Sequence, residues 1–83
     1  SSSQRHKHQQ IRGLIQQFPK RQFVLIGDSG EADPEIYAAI AEDYPQAIRA
    51  IAIRDVTGEA ADAPRYQKTF ARIPAAKWQI FLE

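Results

Sequence analysis

Apolar residues at Ile11, Leu14, Ile15 and Phe18 recur at i, i+3, i+4 and i+7, the spacing of one helical face. The pattern stops at Pro19, because the residue before a proline is turned away from helical dihedrals. Gly13 weakens such a helix by up to ~1 kcal/mol relative to Ala without cancelling the pattern. Phe23-Val24-Leu25-Ile26 is a continuous apolar run, as expected of a strand covered on both faces. Asp33-Pro34-Glu35 then announces a second helix. Asp33 suits the N-cap, Pro34 the first helical position, and Glu35 the positive end of the helix dipole. Ile36, Ala39 and Ile40, with Tyr44 as a further candidate, form its apolar stripe before Pro45. Ala50-Ile51-Ala52-Ile53 is a second buried strand, and residues 57–64 read as an Ala-, Gly- and Asp-rich loop. Residues 65–73 place Tyr66, Phe70 and Ile73 on one face of a short helix that Pro74 breaks. Residues 78–82 form a third strand.

Helix–strand alternation with buried strands implies a parallel sheet with right-handed crossovers. The expected fold is α/β: a partial doubly wound, Rossmann-like three-layer sandwich with about three parallel strands alternating with helices. Three strands make a narrow sheet, so the fold looks incomplete. The chain also opens with Ser1-Ser2-Ser3-Gln4 and not with Met. Both features point to a piece of a longer polypeptide, either cloned as a domain or trimmed by proteolysis.

Composition narrows the function classes. Eighty-three residues make one domain at most, with 43% hydrophobic and 25% charged residues, ordinary for a globular chain. Eleven basic against 10 acidic residues leave a net charge of +1, so electrostatics gives no case for a nucleic-acid partner. No apolar run approaches the ~20 residues needed to cross a bilayer, and no signal-peptide pattern opens the chain. Cysteine is absent, which removes disulfides and thiolate metal sites and favours an intracellular, cytoplasmic setting.

In sheets of this kind ligands bind outside the carboxyl ends of the strands. From Lys7 to Phe18 the first helix descends roughly 16 Å at 1.5 Å per residue. The strand climbing back to Gly27 regains about 17 Å at 3.3 Å per residue. Lys7 and Asp28 therefore finish at similar height, and Lys7 lies at i−4 from Ile11, on the inward stripe. Asp28 closes the strand, Gly27 and Gly30 allow a tight turn with exposed amides around Ser29, and Asp33 returns a second carboxylate. Two hard oxygen ligands without His or Cys suit Mg²⁺, which keeps several waters and shares a substrate phosphate. A Lys ammonium is a compact charge matched to the phosphate. Plainer roles stand beside these: Asp33 as a helix cap, Asp28 as an Asx turn and Lys7 as a solvated helix residue. Glu31, His6 and His8 read as surface residues, Arg54-Asp55 as an ion pair or turn, and Tyr37 and Trp78 as core or core-edge aromatics.

The residues Lys7-x-x-x-Ile11, Phe18-Pro19, FVLIGDSGEADPEIY from Phe23 to Tyr37, and Ile53-Arg54-Asp55-Val56 resemble the phosphatidate phosphatases of the actin-patch-associated type. These are haloacid dehalogenase-like hydrolases. The resemblance is specific in the GDSGxxDPEIY block and weakens after Thr57. It implies that Lys7 is the phosphate-binding Lys of the superfamily's third motif. Gly27, Asp28 and Asp33 would match its fourth, a GDxxxxD metal loop, with Ser29 and Gly30 completing the loop backbone. It further implies Mg²⁺ as cofactor and a phosphomonoester substrate, with phosphatidate as the family's example. Residues 1–83 would then be the carboxyl-terminal portion of the catalytic domain.

The superfamily's first motif, a DxDxT/V strand whose leading Asp attacks phosphorus, is not found in these 83 residues, nor is the Ser/Thr of the second. Without that nucleophile there is no covalent route, so the chain alone is expected to be inert. The missing partner strand would also leave the edge of Phe23 to Ile26 unpaired, inviting self-association or pairing with a missing fragment. The main alternative is a non-catalytic phosphate- or anion-binding module, or an assembly module, of the same α/β form. A receiver-like domain accepting phosphate on Asp55 or Asp28 lacks the acidic pair it would need on an earlier strand.

Overall fold

The computed structural model describes residues 2–82. Its elements are α1 (Ser2–Gln17), β1 (Phe23–Asp28), α2 (Asp33–Asp43), β2 (Ile48–Arg54), α3 (Pro64–Thr69), a single 3₁₀ turn (Ala75–Lys77) and β3 (Trp78–Phe81). The strands form one parallel sheet in the order β1-β2-β3. This is the alternation the apolar pattern calls for, and it makes the chain a partial α/β Rossmann-like sandwich. Leu25 lies beside Ile51, Gly27 beside Ile53, and Ile53 in turn beside Ile80. The matched register lines up the inward side chains of all three strands.

The core lies between this sheet face and the helices. Leu25, Ile51 and Ile53 meet Ile36, Tyr37 and Ile40 of α2, and Tyr66, Phe70 and Ile73 close the far side. Phe70 stacks on Trp78 with ring centroids 4.5 Å apart. α2 is packed against α1 on one flank and α3 on the other. Its buried arc is therefore broad and rotated from the expected stripe: Ala38 and Ala41 are buried and Ala39 is exposed. Leu25 keeps 8% of its surface, whereas Val24 and Ile26 keep 52% and 66%. A continuous apolar run predicts cover on both faces, but the described helices cover one. The alternate residues of β1 look outward.

Boundaries shift for local reasons. α1 ends at Gln17, and the Phe18 amide still reaches the Leu14 carbonyl at 3.0 Å before Pro19 ends the ladder. α2 is capped by Ala32 and not by Asp33, which is its first helical residue, and Pro34 follows one place later than expected. α3 is a helix only to Thr69, but turns through Phe70 and Ile73 keep both side chains in the core. Among the described residues no helix is long and apolar enough to cross a membrane.

Candidate functional site

β1 delivers Asp28 to the carboxyl edge, and the next five residues fold back so that α2 starts beside it. The Gly30 amide donates to Asp28 Oδ1 at 2.9 Å, which is an Asx turn. The Asp28 amide donates to Asp33 Oδ2 at 3.2 Å. Gly27 is required here for space. A β-carbon on it would stand 2.8 Å from both Cβ and Cγ of Asp33, so the Asp33 side chain occupies the place of a missing one. Neither Gly27 nor Gly30 has positive φ; among the described residues that conformation belongs to Gly58. The turn is therefore built from hydrogen bonds and close approach, and left-handed backbone plays no part in it.

Lys7 reaches the same place from α1. Its Nζ donates to Asp33 Oδ1 at 2.6 Å. The Asp33 side chain is 8% exposed and that of Lys7 37%, so the pair has one sheltered member and one open to a ligand. The hydrogen bond to Asp33 raises the Lys7 pKa above the ordinary lysine value, although partial burial pulls the other way. Lys7 is thus neither frayed nor simply solvated, as the matched heights of helix and strand imply. Tyr37 donates its hydroxyl to the Ile26 carbonyl at 3.1 Å, tying α2 to the end of β1. Burial first, and then the Asp33 charge, pushes that phenol's pKa up. Gln4, Lys7, Glu31, Asp33 and Ile36 line a cleft of about 190 Å³. That is below the roughly 300–1,000 Å³ of ordinary small-molecule sites, so the cleft suits a small charged group.

A second polar cluster lies at the end of β2. Asp55, buried, accepts from Tyr66 Oη at 2.7 Å and from the amides of Gly58 and Glu59, each at 2.8 Å. The Tyr66 hydroxyl holds its pKa below the usual carboxylate value; desolvation opposes this, and the two amides and Thr57 add to it. Asp55 therefore closes a turn and is not paired with Arg54, which is exposed. Ser29 belongs to this cluster. Its hydroxyl accepts the Val56 amide at 2.8 Å and lies 3.4 Å from Asp55 Oδ1, while its own amide donates to the Arg54 carbonyl at 3.0 Å. The amides of Ser29 and Gly30, expected to face an anion, are thus both committed to acceptors within the chain. Tyr66 and Arg65, which also grips this loop, escaped sequence reasoning. Tyr66 read only as core, and nothing local marks an arginine whose partners lie over 30 residues away.

Among the described residues no three His, Asp or Glu side chains gather as a metal cage. Two carboxylates do reach the site. Both Asp33 oxygens are engaged, one by Lys7 and one by the Asp28 amide. Asp28 uses Oδ1 for the Asx turn, and among the described residues Oδ2 carries no hydrogen bond. The donor set fits a hard divalent cation that takes one Asp28 oxygen and leaves its other positions to water or phosphate.

Residues 1–55 match the family described as "Phosphatidate phosphatase APP1, catalytic domain", a span running from α1 to the end of β2. The chain is 40% identical over 68 residues to the Saccharomyces cerevisiae protein named phosphatidate phosphatase APP1, covering 82% of this chain and 12% of that protein. It is 38% identical over 63 residues to an uncharacterized protein of Schizosaccharomyces pombe, covering 76% of this chain and 10% of that one. No solved structure matches. The match over residues 1–55, a span that includes Lys7, Asp28 and Asp33, shows that the chain belongs to the family of phosphatidate phosphatase APP1 catalytic domains.

Proposed function

We propose that this chain is the carboxyl-terminal portion of a haloacid dehalogenase-like catalytic domain and supplies half the site of a Mg²⁺-dependent phosphomonoesterase. Phosphatidate is the substrate carried over from the named relative. The observation that carries the reading is the 2.6 Å Lys7–Asp33 pair standing beside Asp28 at the carboxyl edge of the sheet. Lys7 meets the phosphate as a point charge, and Asp33 holds its ammonium in place and keeps it protonated. Asp28 offers Oδ2 to the cation. Asp33 adds negative charge and orientation from behind, in the manner of an outer-shell group. The cation, when bound, neutralises charge on the transferring phosphoryl group.

The 83 residues hold no Asp-x-Asp triplet, so the attacking carboxylate has to come from elsewhere in a longer polypeptide. Alone they are inert. The unpaired edge and open face of β1, with Val24 and Ile26 outward, are where an adjoining strand of that polypeptide or a second copy would pair. An anion cradle without chemistry is less favoured, because the Ser29 and Gly30 amides it would use are occupied.

The test is a phosphatase assay of this chain beside the full-length product, each with an Asp28→Asn control. Mg²⁺-dependent turnover is expected in the full-length protein and not in the short chain. Turnover by the short chain would defeat the fragment reading, and an unaffected full-length Asp28→Asn variant would remove Asp28 from the cation site.

A further inference from the structure

Arg65 stands at the start of α3, outside the matched residues 1–55, yet its guanidinium makes four hydrogen bonds around the acidic loop. Nη1 donates to the Ser29 carbonyl at 2.6 Å and Nη2 to the Glu31 carbonyl at 2.8 Å. Nε and Nη2 also fork onto the Glu35 carboxylate at 2.9 and 3.0 Å. Thr69 donates to the same carboxylate at 3.1 Å, so the anchor on α2 is itself held from α3.

Which carbonyls are gripped matters. The Ser29 carbonyl and the Gly30 N–H belong to one planar peptide unit. Arg65 holds one end of that unit and Asp28 Oδ1 accepts from the other. A cationic donor on the carbonyl polarises the peptide and strengthens what its N–H gives. The Glu31 carbonyl pins the loop again two residues further on. Turning this peptide would release Asp28 Oδ1 and leave the carboxylate free to rotate.

We propose that Arg65 is a positioning residue for the acidic loop: by clamping the Ser29–Gly30 and Glu31–Ala32 peptides it fixes the rotamer with which Asp28 presents one free oxygen to a divalent cation. Arginine is needed in place of lysine, because only a planar fork can serve two carbonyls and a carboxylate together. The cation part rests on the function proposed above; the order of the loop does not.

The experiment uses the full-length polypeptide carrying this chain, with Arg65→Ala, Arg65→Lys and, as control, Arg72→Ala. Arg72 is exposed and lies 3.8 Å from Glu42, away from the loop. Hydrogen–deuterium exchange is followed on peptides spanning residues 29–35 without cation, and Mg²⁺ affinity is measured calorimetrically. Arg65→Ala is expected to speed exchange in that segment and to weaken Mg²⁺ roughly tenfold, the lower range for losing an outer-shell partner. Arg65→Lys should fall between Ala and wild type, and Arg72→Ala should match wild type. Unchanged exchange in a folded Arg65→Ala protein overturns the clamp, as does Arg65→Lys indistinguishable from wild type in both readouts. Faster exchange with unaltered Mg²⁺ affinity overturns its link to Asp28. A wild-type protein that binds no Mg²⁺ defeats the cation reading, and the clamp is then decided by exchange alone.

Discussion

The turn from β1 into α2 and the loop after β2 each bring a carboxylate on a residue that keeps 6% of its surface, Asp33 at the first position of α2 and Asp55 just after β2. Their partners differ in kind. Asp33 is bonded to an ammonium that stays partly open to solvent, whereas Asp55 is bonded to a phenol, two amides and a neighbouring threonine hydroxyl within the fold. A charge beside a cleft remains available to a ligand; a charge saturated by neutral donors is spent on holding a turn. Burial alone would rank the two alike, and the chemistry of the donors separates them.

The strongest way to break this contrast is Lys7→Ala in the full-length enzyme. Under the proposed function, losing the Lys7 charge that would meet phosphate should lower turnover by roughly 10²–10³-fold, the range for losing one preorganised electrostatic donor. Stability should fall by less than about 1 kcal/mol, because the pair is partly exposed. Steady-state kinetics and a denaturant midpoint on the same preparation check both halves. If stability falls sharply while turnover holds, the two loops are alike after all.

Next in size is Gly27→Ala, which drives a methyl group into Asp33. A cost of about 1–3 kcal/mol is expected for overpacking at a site that cannot relax, read as a lowered urea midpoint. Tyr66→Phe removes one hydroxyl from Asp55 and leaves the ring in the core. It should cost about 1.5–3 kcal/mol as a lost bond to a charged group. Activity per folded molecule should stay near wild type, since the second loop holds and does not react.

The smallest effect is also the most discriminating, because the Lys7 and Asp55 groups titrate towards opposite ends of the pH scale. The folded pKa of Asp55 is depressed, so its contribution is complete above the unfolded value of about 3.9 and is lost as pH falls through the folded one. The folded pKa of Lys7 is raised, so its contribution is complete below the unfolded value of about 10.4 and is lost as pH rises through the folded one. The midpoint difference between wild type and Asp55→Asn should therefore shrink only in acid. That between wild type and Lys7→Ala should shrink in strong alkali, where the Asp55 contribution is still complete.

Much of this was legible in one dimension. Period and punctuation located α1, α2, α3 and the three strands but not the 3₁₀ turn Ala75–Lys77, and counting rises placed Lys7 level with Asp28. The role of Asp33 was legible only in part. Its position before Pro34 reads as a cap, but the helix is capped one residue earlier by Ala32, and the Asp33 carboxylate meets Lys7, 26 residues away. The outward Val24 and Ile26 were hidden because a continuous apolar run says nothing of which face is covered. Arg65 was hidden because it lies at the edge of an unpatterned loop and its partners are 30 to 36 residues back.

The side chain that stands in for a β-carbon on Gly27 makes Asp33 a peg between strand and helix. The spacing of Lys7 and Asp33 is thereby set by how α2 seats on β1 and does not depend on the loop joining them. Asp28's orientation, by contrast, hangs on a single peptide of that loop. Heating should loosen the loop before it unseats the helix, so under the function proposed above binding of phosphate should outlast binding of the cation. Phosphate protection of residues 33–37 against exchange, persisting at temperatures where Mg²⁺ protection of residues 28–31 has gone, would mark that order of failure.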